Sequence, residues 1–175
     1  ANLPEDQAAN GGAGSWTRRD GTGWNTLEAQ AAYRPSEGDF SGGRHALTFG
    51  VHRNAYLLDS PTANASDWRM TETTLAQRYH GRSAVTALYA QDAWKLQDDL
   101  TLTLGLRHER YLTRDGEQLL RVAGCTTAAG VSCVDNGDGS FNRVLAYPER
   151  HLSGSSPKAS IAWRADEDLL LKASL

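Results

Sequence analysis

From Leu100 to Arg107 the sequence alternates without a break: Leu100, Leu102, Leu104 and Leu106 fall on one face of an extended strand, and Thr101, Thr103, Gly105 and Arg107 on the other. A second strand-like run precedes it from Ala87, and the polar cluster Gln97-Asp98-Asp99 lies between the two. The stretch 87–109 is therefore predicted to be a β-hairpin with one apolar face. Two architectures accept such a hairpin. A soluble β-sandwich turns the leucines into its core; a membrane β-barrel turns them out into lipid and keeps Arg107 and Glu109 inside.

Hydropathy does not choose between them. Hydrophobic residues make up 39% of the 175, and the mean hydropathy is −0.53. No run approaches the roughly 18 apolar residues of a membrane helix, but a barrel wall, in which only alternate residues meet lipid, has the same low average. A net charge of −3 with no Lys/Arg-rich run leaves no electrostatic footprint for nucleic acid, which is not expected as a partner. The opening residues hold no basic segment followed by an apolar one, so no signal peptide is read, and a barrel lacking one is expected to be an internal piece of a longer chain.

Taken in order, residues 1–23 read as loop. Residues 24–34 read as a strand with Leu27, Ala29, Ala31 and Tyr33 on one face and Thr26, Glu28, Gln30 and Arg34 on the other. After a break over 35–43, a second strand over 45–57 places Leu47, Phe49 and Val51 opposite Thr48, Gly50, His52 and Asn54. The organising hairpin occupies 82–113, and a last hairpin, 157–175, turns at Asp166-Glu167-Asp168 and stops in mid-strand. The fold class is thus all-β, an antiparallel meander of about six strands. Short connections follow strands one, three and five, and long ones, 58–81 and 114–156, follow strands two and four. Long loops gathered at one end are expected of an outer-membrane barrel, not of a sandwich.

Three segments in this order carry a resemblance: Ala87-Leu-Tyr-Ala-Gln-Asp-Ala-Trp94, then Leu100-Thr-Leu-Thr-Leu-Gly-Leu-Arg-His-Glu-Arg-Tyr111, then Ser156-Pro-Lys-Ala-Ser-Ile-Ala-Trp163 with Leu171-Lys-Ala-Ser-Leu175. They resemble the barrel of TonB-dependent outer-membrane receptors, in which a Tyr-x-Gln-Asp-x-Trp strand leads through a tight turn into a Leu-Thr-Leu-x-x-Gly-x-Arg-Tyr-Glu-like strand. His108 stands where that pattern has tyrosine. The resemblance covers 24–175 and implies a fragment of a 22-stranded transmembrane barrel in the bacterial outer membrane. It implies as partners a plug domain and TonB, neither within this chain, together with outer-membrane lipid, and as ligand an iron-siderophore or another scarce nutrient. No catalysis and no cofactor are implied. A passive porin, and a soluble binding module of sandwich type, are the alternatives.

Trp68, Arg69, Tyr79 and His80 flank the first long connection and combine rings with cations, as a receptor surface for an anionic, aromatic chelate would. Loop anchoring near the membrane interface is the plainer role for each. Arg107 and Glu109, two apart on one face, are expected to be polar barrel lining rather than a catalytic or relay pair. Cys125 and Cys133 suit a small loop disulfide better than a metal site, which needs further ligands; two free thiols are the other reading. The five histidines never fall at metal-ligand spacing, so no metal is expected. Asp135-Asn-Gly-Asp-Gly139 lacks the closing glutamate of a calcium loop and reads as a turn. The faces of Gln91 and Asp92 stay open, because two-residue and three-residue turns at Asp98 give opposite parities.

Overall fold

The structure is a computed structural model that describes residues 10–36, 42–69 and 73–175. Residues 1–9 of the loop expected over 1–23, 37–41 of the break expected over 35–43 and 70–72 of the first long connection lie outside the described residues. Nine strands and no helix are formed among the rest: β1 Gly14–Thr17, β2 Gly23–Tyr33, β3 His45–Ala65, β4 Thr73–Lys95, β5 Leu100–Val122, β6 Val131–Asp135, β7 Phe141–Tyr147, β8 Arg150–Arg164 and β9 Leu170–Ser174. They join one sheet, in which β1-β3-β4-β5-β7-β6 are successive neighbours, β2 also pairs with β3, and β8 pairs with β5 and β9.

The strands run well beyond the alternating segments, so the expected long loops 58–81 and 114–156 are mostly strand. Asp59, Ser60 and Pro61 fall in the expected long connection 58–81, but neighbours hold this stretch extended. β1, placed within the expected 1–23 loop, pairs with it from Gly14↔Ala65 to Thr17↔Thr62, and the Arg18 N–H donates to the Pro61 carbonyl. On β4, Arg78 donates twice to the Asp59 carboxylate, at 2.7 and 2.9 Å. On β5, Asp115-Gly116 reads as a turn. Instead Asp115 takes φ +56°, which aspartate tolerates, and the strand continues by pairing with β7 from Gly116↔Tyr147 to Val122↔Phe141.

Contacts group the chain into two units, Ala1–Asn25 with Ala55–Ser83 and Leu112–Arg150, and Thr26–Asn54 with Ala84–Tyr111 and His151–Leu175. The second unit holds the turns at 96–100 and 165–169, and both have the same bonding. Leu96 and Gln97 N–H both point to the Leu100 carbonyl, as Ala165 and Asp166 N–H point to that of Leu169. Two residues facing one make a bulge, which shifts the pairing by one and fixes the parity left open above. A Cβ on Gly105 would touch Gln91 Cβ and Cγ, so Gln91 shares the face of Gly105 and Arg107. Asp92 shares the leucine face, where it meets His45 at 2.7 Å, and the His45 ring stacks on Trp94.

Among the described residues nothing covers the leucine face. Leu104, Leu106 and Leu88 are 51%, 55% and 63% exposed, and Phe49, Leu27 and Ile161 are exposed with them. Among the described residues the buried hydrophobic side chains are Ala65 and Ala87. A sandwich would bury these leucines under a second sheet, and all nine strands belong to one.

Candidate functional site

Two polar assemblies stand out, one in each unit. In the second unit, alternation brings Glu28, Gln30, His52, Tyr89, Gln91, Arg107, Glu109 and Lys158 to the face opposite the leucines. Arg107 Nε donates to Glu109 Oε1 at 2.6 Å, and the Arg107 guanidinium lies 6.0 Å from the Tyr89 ring centre. The Tyr89 hydroxyl donates to Glu28 Oε1 at 3.1 Å, Glu28 Oε2 lies 3.6 Å from His52 Nδ1, and Lys158 Nζ donates to Gln91 Oε1 at 3.2 Å. Each strand contributes every second side chain, so these groups meet through hydrogen bonds across neighbouring strands and through one ion pair along β5. The result is a polar face around a shallow recess of about 210 Å³.

In the first unit, Gly12 and Arg69 N–H both donate to Asp67 Oδ1, at 3.3 and 3.0 Å, and Arg69 Nη2 donates to the Asn10 carbonyl at 2.7 Å. The Arg69 N–H bond is the main reason the Asp67 carboxyl sits below the usual carboxylate range, helped by Gly12 N–H and the Arg69 charge. Beside this knot lies a hollow of about 350 Å³ lined by Trp16, Arg18, Pro61, Ala63, Arg69, Thr73 and Leu75. One indole and two guanidinium groups around such a space suit a ligand that is both anionic and aromatic.

Of the four residues expected in the first connection, only Arg69 lines this hollow. Trp68 packs over Gly14, where a Cβ would meet it at 3.0 Å. Tyr79 and His80 lie within β4 and, as neighbours in a strand, point to opposite faces. Gln118 Nε2 donates to the Tyr79 hydroxyl at 3.4 Å, while His80 Nδ1 stands 3.9 Å from Asp59 Oδ1 and is buried without a hydrogen bond. Trp16 and Arg18 were not visible as partners, because Gly-rich flanks gave their segment the look of a loop. The Ser15-Trp16-Thr17-Arg18 alternation is the signal that marks them as a strand.

Cys125 and Cys133 are joined by a disulfide, Cα to Cα 5.9 Å, beside the β6–β7 hairpin. Gly137 and Gly139 at φ +78° and +80° make the turn of that hairpin, and Asp135 Oδ1 accepts the Gly137 N–H within it. No group of His, Cys, Asp or Glu among the described residues is arranged to hold a metal.

A sheet that exposes leucines on one face, gathers hydrogen-bonded polar and charged side chains on the other and carries Trp94 and Trp163 at its short turns is the wall of a membrane β-barrel. The profile of the family described as TonB dependent receptor-like, beta-barrel, matches residues 2–175. The chain belongs to that family of outer-membrane receptors and transporters. No curated protein and no solved structure matched it in comparison.

Proposed function

We propose that the protein serves in active uptake of an iron-siderophore or similar scarce nutrient across the bacterial outer membrane, energised through TonB with a plug domain as partner. It does so by binding and passage, without covalent chemistry. The observation that carries this reading is the hollow with Trp16, Arg18 and Arg69, whose charge and ring character complement an anionic, aromatic chelate. The ionic lining around Arg107 and Glu109 would keep the interior wet for a polar solute, and a passive porin would use it equally well.

One experiment separates the two. Binding and growth on a panel of iron chelates are compared between the parent, R18Q/R69Q and cells lacking TonB. Loss of the two guanidinium groups should weaken binding of the cognate chelate about tenfold or more, since hydrogen bonds to charged groups contribute about 1.5–3 kcal/mol each. Uptake should stop without TonB. Uptake that continues there supports the porin, and unchanged binding by R18Q/R69Q removes the hollow from recognition.

A further inference from the structure

The leucine face of the second unit ends in cations. On β3 the outward series Leu47, Phe49, Val51 continues with Arg53, and on β5 the series Leu104, Leu106 continues with His108 and Arg110. Arg53 and Arg110 are both exposed, and neither makes an ion pair or hydrogen bond among the described residues. The backbone hydrogen bonds align them. Lys95 N–H to the Arg44 carbonyl sets a β3–β4 pairing in which partner numbers sum to 139, placing Arg53 across from Thr86. Leu96 N–H to the Leu100 carbonyl sets a β4–β5 sum of 196, placing Arg110 across from Thr86 as well. Arg53 and Arg110 therefore stand on either side of Thr86 on the same face, their backbones about 10 Å apart.

At the opposite end, Trp94 and Trp163 hold equivalent places, each six residues ahead of the leucine that closes its turn, Leu100 and Leu169. Both rings are exposed, and the Trp163 indole N–H donates to Asp99 at 3.0 Å, an interfacial arrangement. From Trp94 to Thr86 is eight residues of strand. At roughly 3.3 Å each and a tilt of about 40° that is roughly 20 Å of height, close to the apolar band of about 25 Å that barrels present to lipid. The arginines thus sit where the acyl chains end and the headgroups begin.

We infer that Arg53, Thr86 and Arg110 form an outward clamp for the phosphate of an anionic lipid headgroup in the leaflet remote from the short turns. Two unpaired cations flanking a hydroxyl, on a face that is otherwise apolar, complement a phosphate carried on acyl chains. The inference rests on the barrel's place in a membrane and not on what it transports.

The test titrates the purified protein in neutral detergent with short-chain phosphatidic acid, short-chain phosphatidylcholine or inorganic phosphate, following the thermal unfolding midpoint. Phosphatidic acid is expected to act at about tenfold lower concentration than phosphatidylcholine, and inorganic phosphate to have no effect in that range. R53Q/R110Q should erase the difference, R53K/R110K should keep most of it, and R164Q, at the other end of the wall, should keep all of it. Equal response of the parent to both lipids overturns the clamp, as does an unchanged preference in R53Q/R110Q. A response to inorganic phosphate matching that to phosphatidic acid points to a soluble-anion site and overturns it too. If the double variant does not fold, R53Q and R110Q singly are each expected to narrow the preference, and a full preference in both overturns the clamp. Because uptake is not the readout, failure here leaves the transport reading untouched.

Discussion

The Tyr89 ring lies directly on Gly50 of the neighbouring strand, in the space a Cβ would occupy. Glycine weakens a strand interior, but here its missing side chain makes the slot that fixes the ring and lets the hydroxyl reach Glu28. Gly50→Ala must push the ring aside and is expected to cost about 1–3 kcal/mol in a urea unfolding titration of the reconstituted barrel. Tyr89→Ala empties the slot, so G50A/Y89A should cost less than the sum of the single changes. Strictly additive losses would show that the two residues do not share the space.

Leu104 and Thr103 are adjacent in sequence and lie on opposite faces of β5. An arginine at Leu104 would have to enter lipid and is expected to cost about 2–4 kcal/mol, whereas Thr103→Arg joins the ionic lining and should cost far less. The same unfolding titration checks both. Equal losses would mean that the exposed leucines are not the lipid face.

The face of each strand was legible because one clean period carried it: Leu100 to Leu106 announced both the hairpin and the polar face that carries Arg107. Strand lengths were not legible, since Pro61 and Asp115-Gly116 are local turn signals overruled by partners distant in sequence, β1 for the first and β7 for the second. The turn at Asp98 hid its parity for a similar reason. Whether Leu96 and Gln97 share one carbonyl is decided by hydrogen bonding rather than by residue type, and it decides where Asp92 points. At the site, Arg69 was visible as a cation beside a ring at a loop, but its companions Trp16 and Arg18 come from a strand about fifty residues earlier, and only pairing with β3 brings them near.

The disulfide constrains a short local segment. Cys125 and Cys133 are eight residues apart, and Cys133 sits on β6, which pairs with β7. C125S/C133S should therefore raise amide exchange over 123–135 while leaving the global unfolding midpoint nearly unchanged, because the rest of the wall holds its own ladder. A large drop in the global midpoint would instead make this hairpin part of the wall's cooperative unit.

Asp138 ties the tip of the same hairpin and responds to acid in a definite direction. The Ser140 hydroxyl donates to it at 2.5 Å, the Ser140 N–H at 3.1 Å, and Arg121 pairs with its other oxygen. These bonds, the Ser140 hydroxyl foremost, hold its carboxyl below the usual aspartate range. A carboxylate depressed in the folded state contributes stability that is complete above its unfolded value, about 3.9, and is lost as pH falls through the lower folded one. Protection of the 136–140 amides should then hold from neutral pH down to about 4–5 and fall away below that. Ser140→Ala removes the leading cause, so the Asp138 titration midpoint, followed by carboxyl NMR, should rise toward the unfolded value and the loss of protection should begin at higher pH. An unmoved midpoint in S140A would leave the depression to the backbone N–H of residue 140 and to Arg121, and R121Q would separate those two.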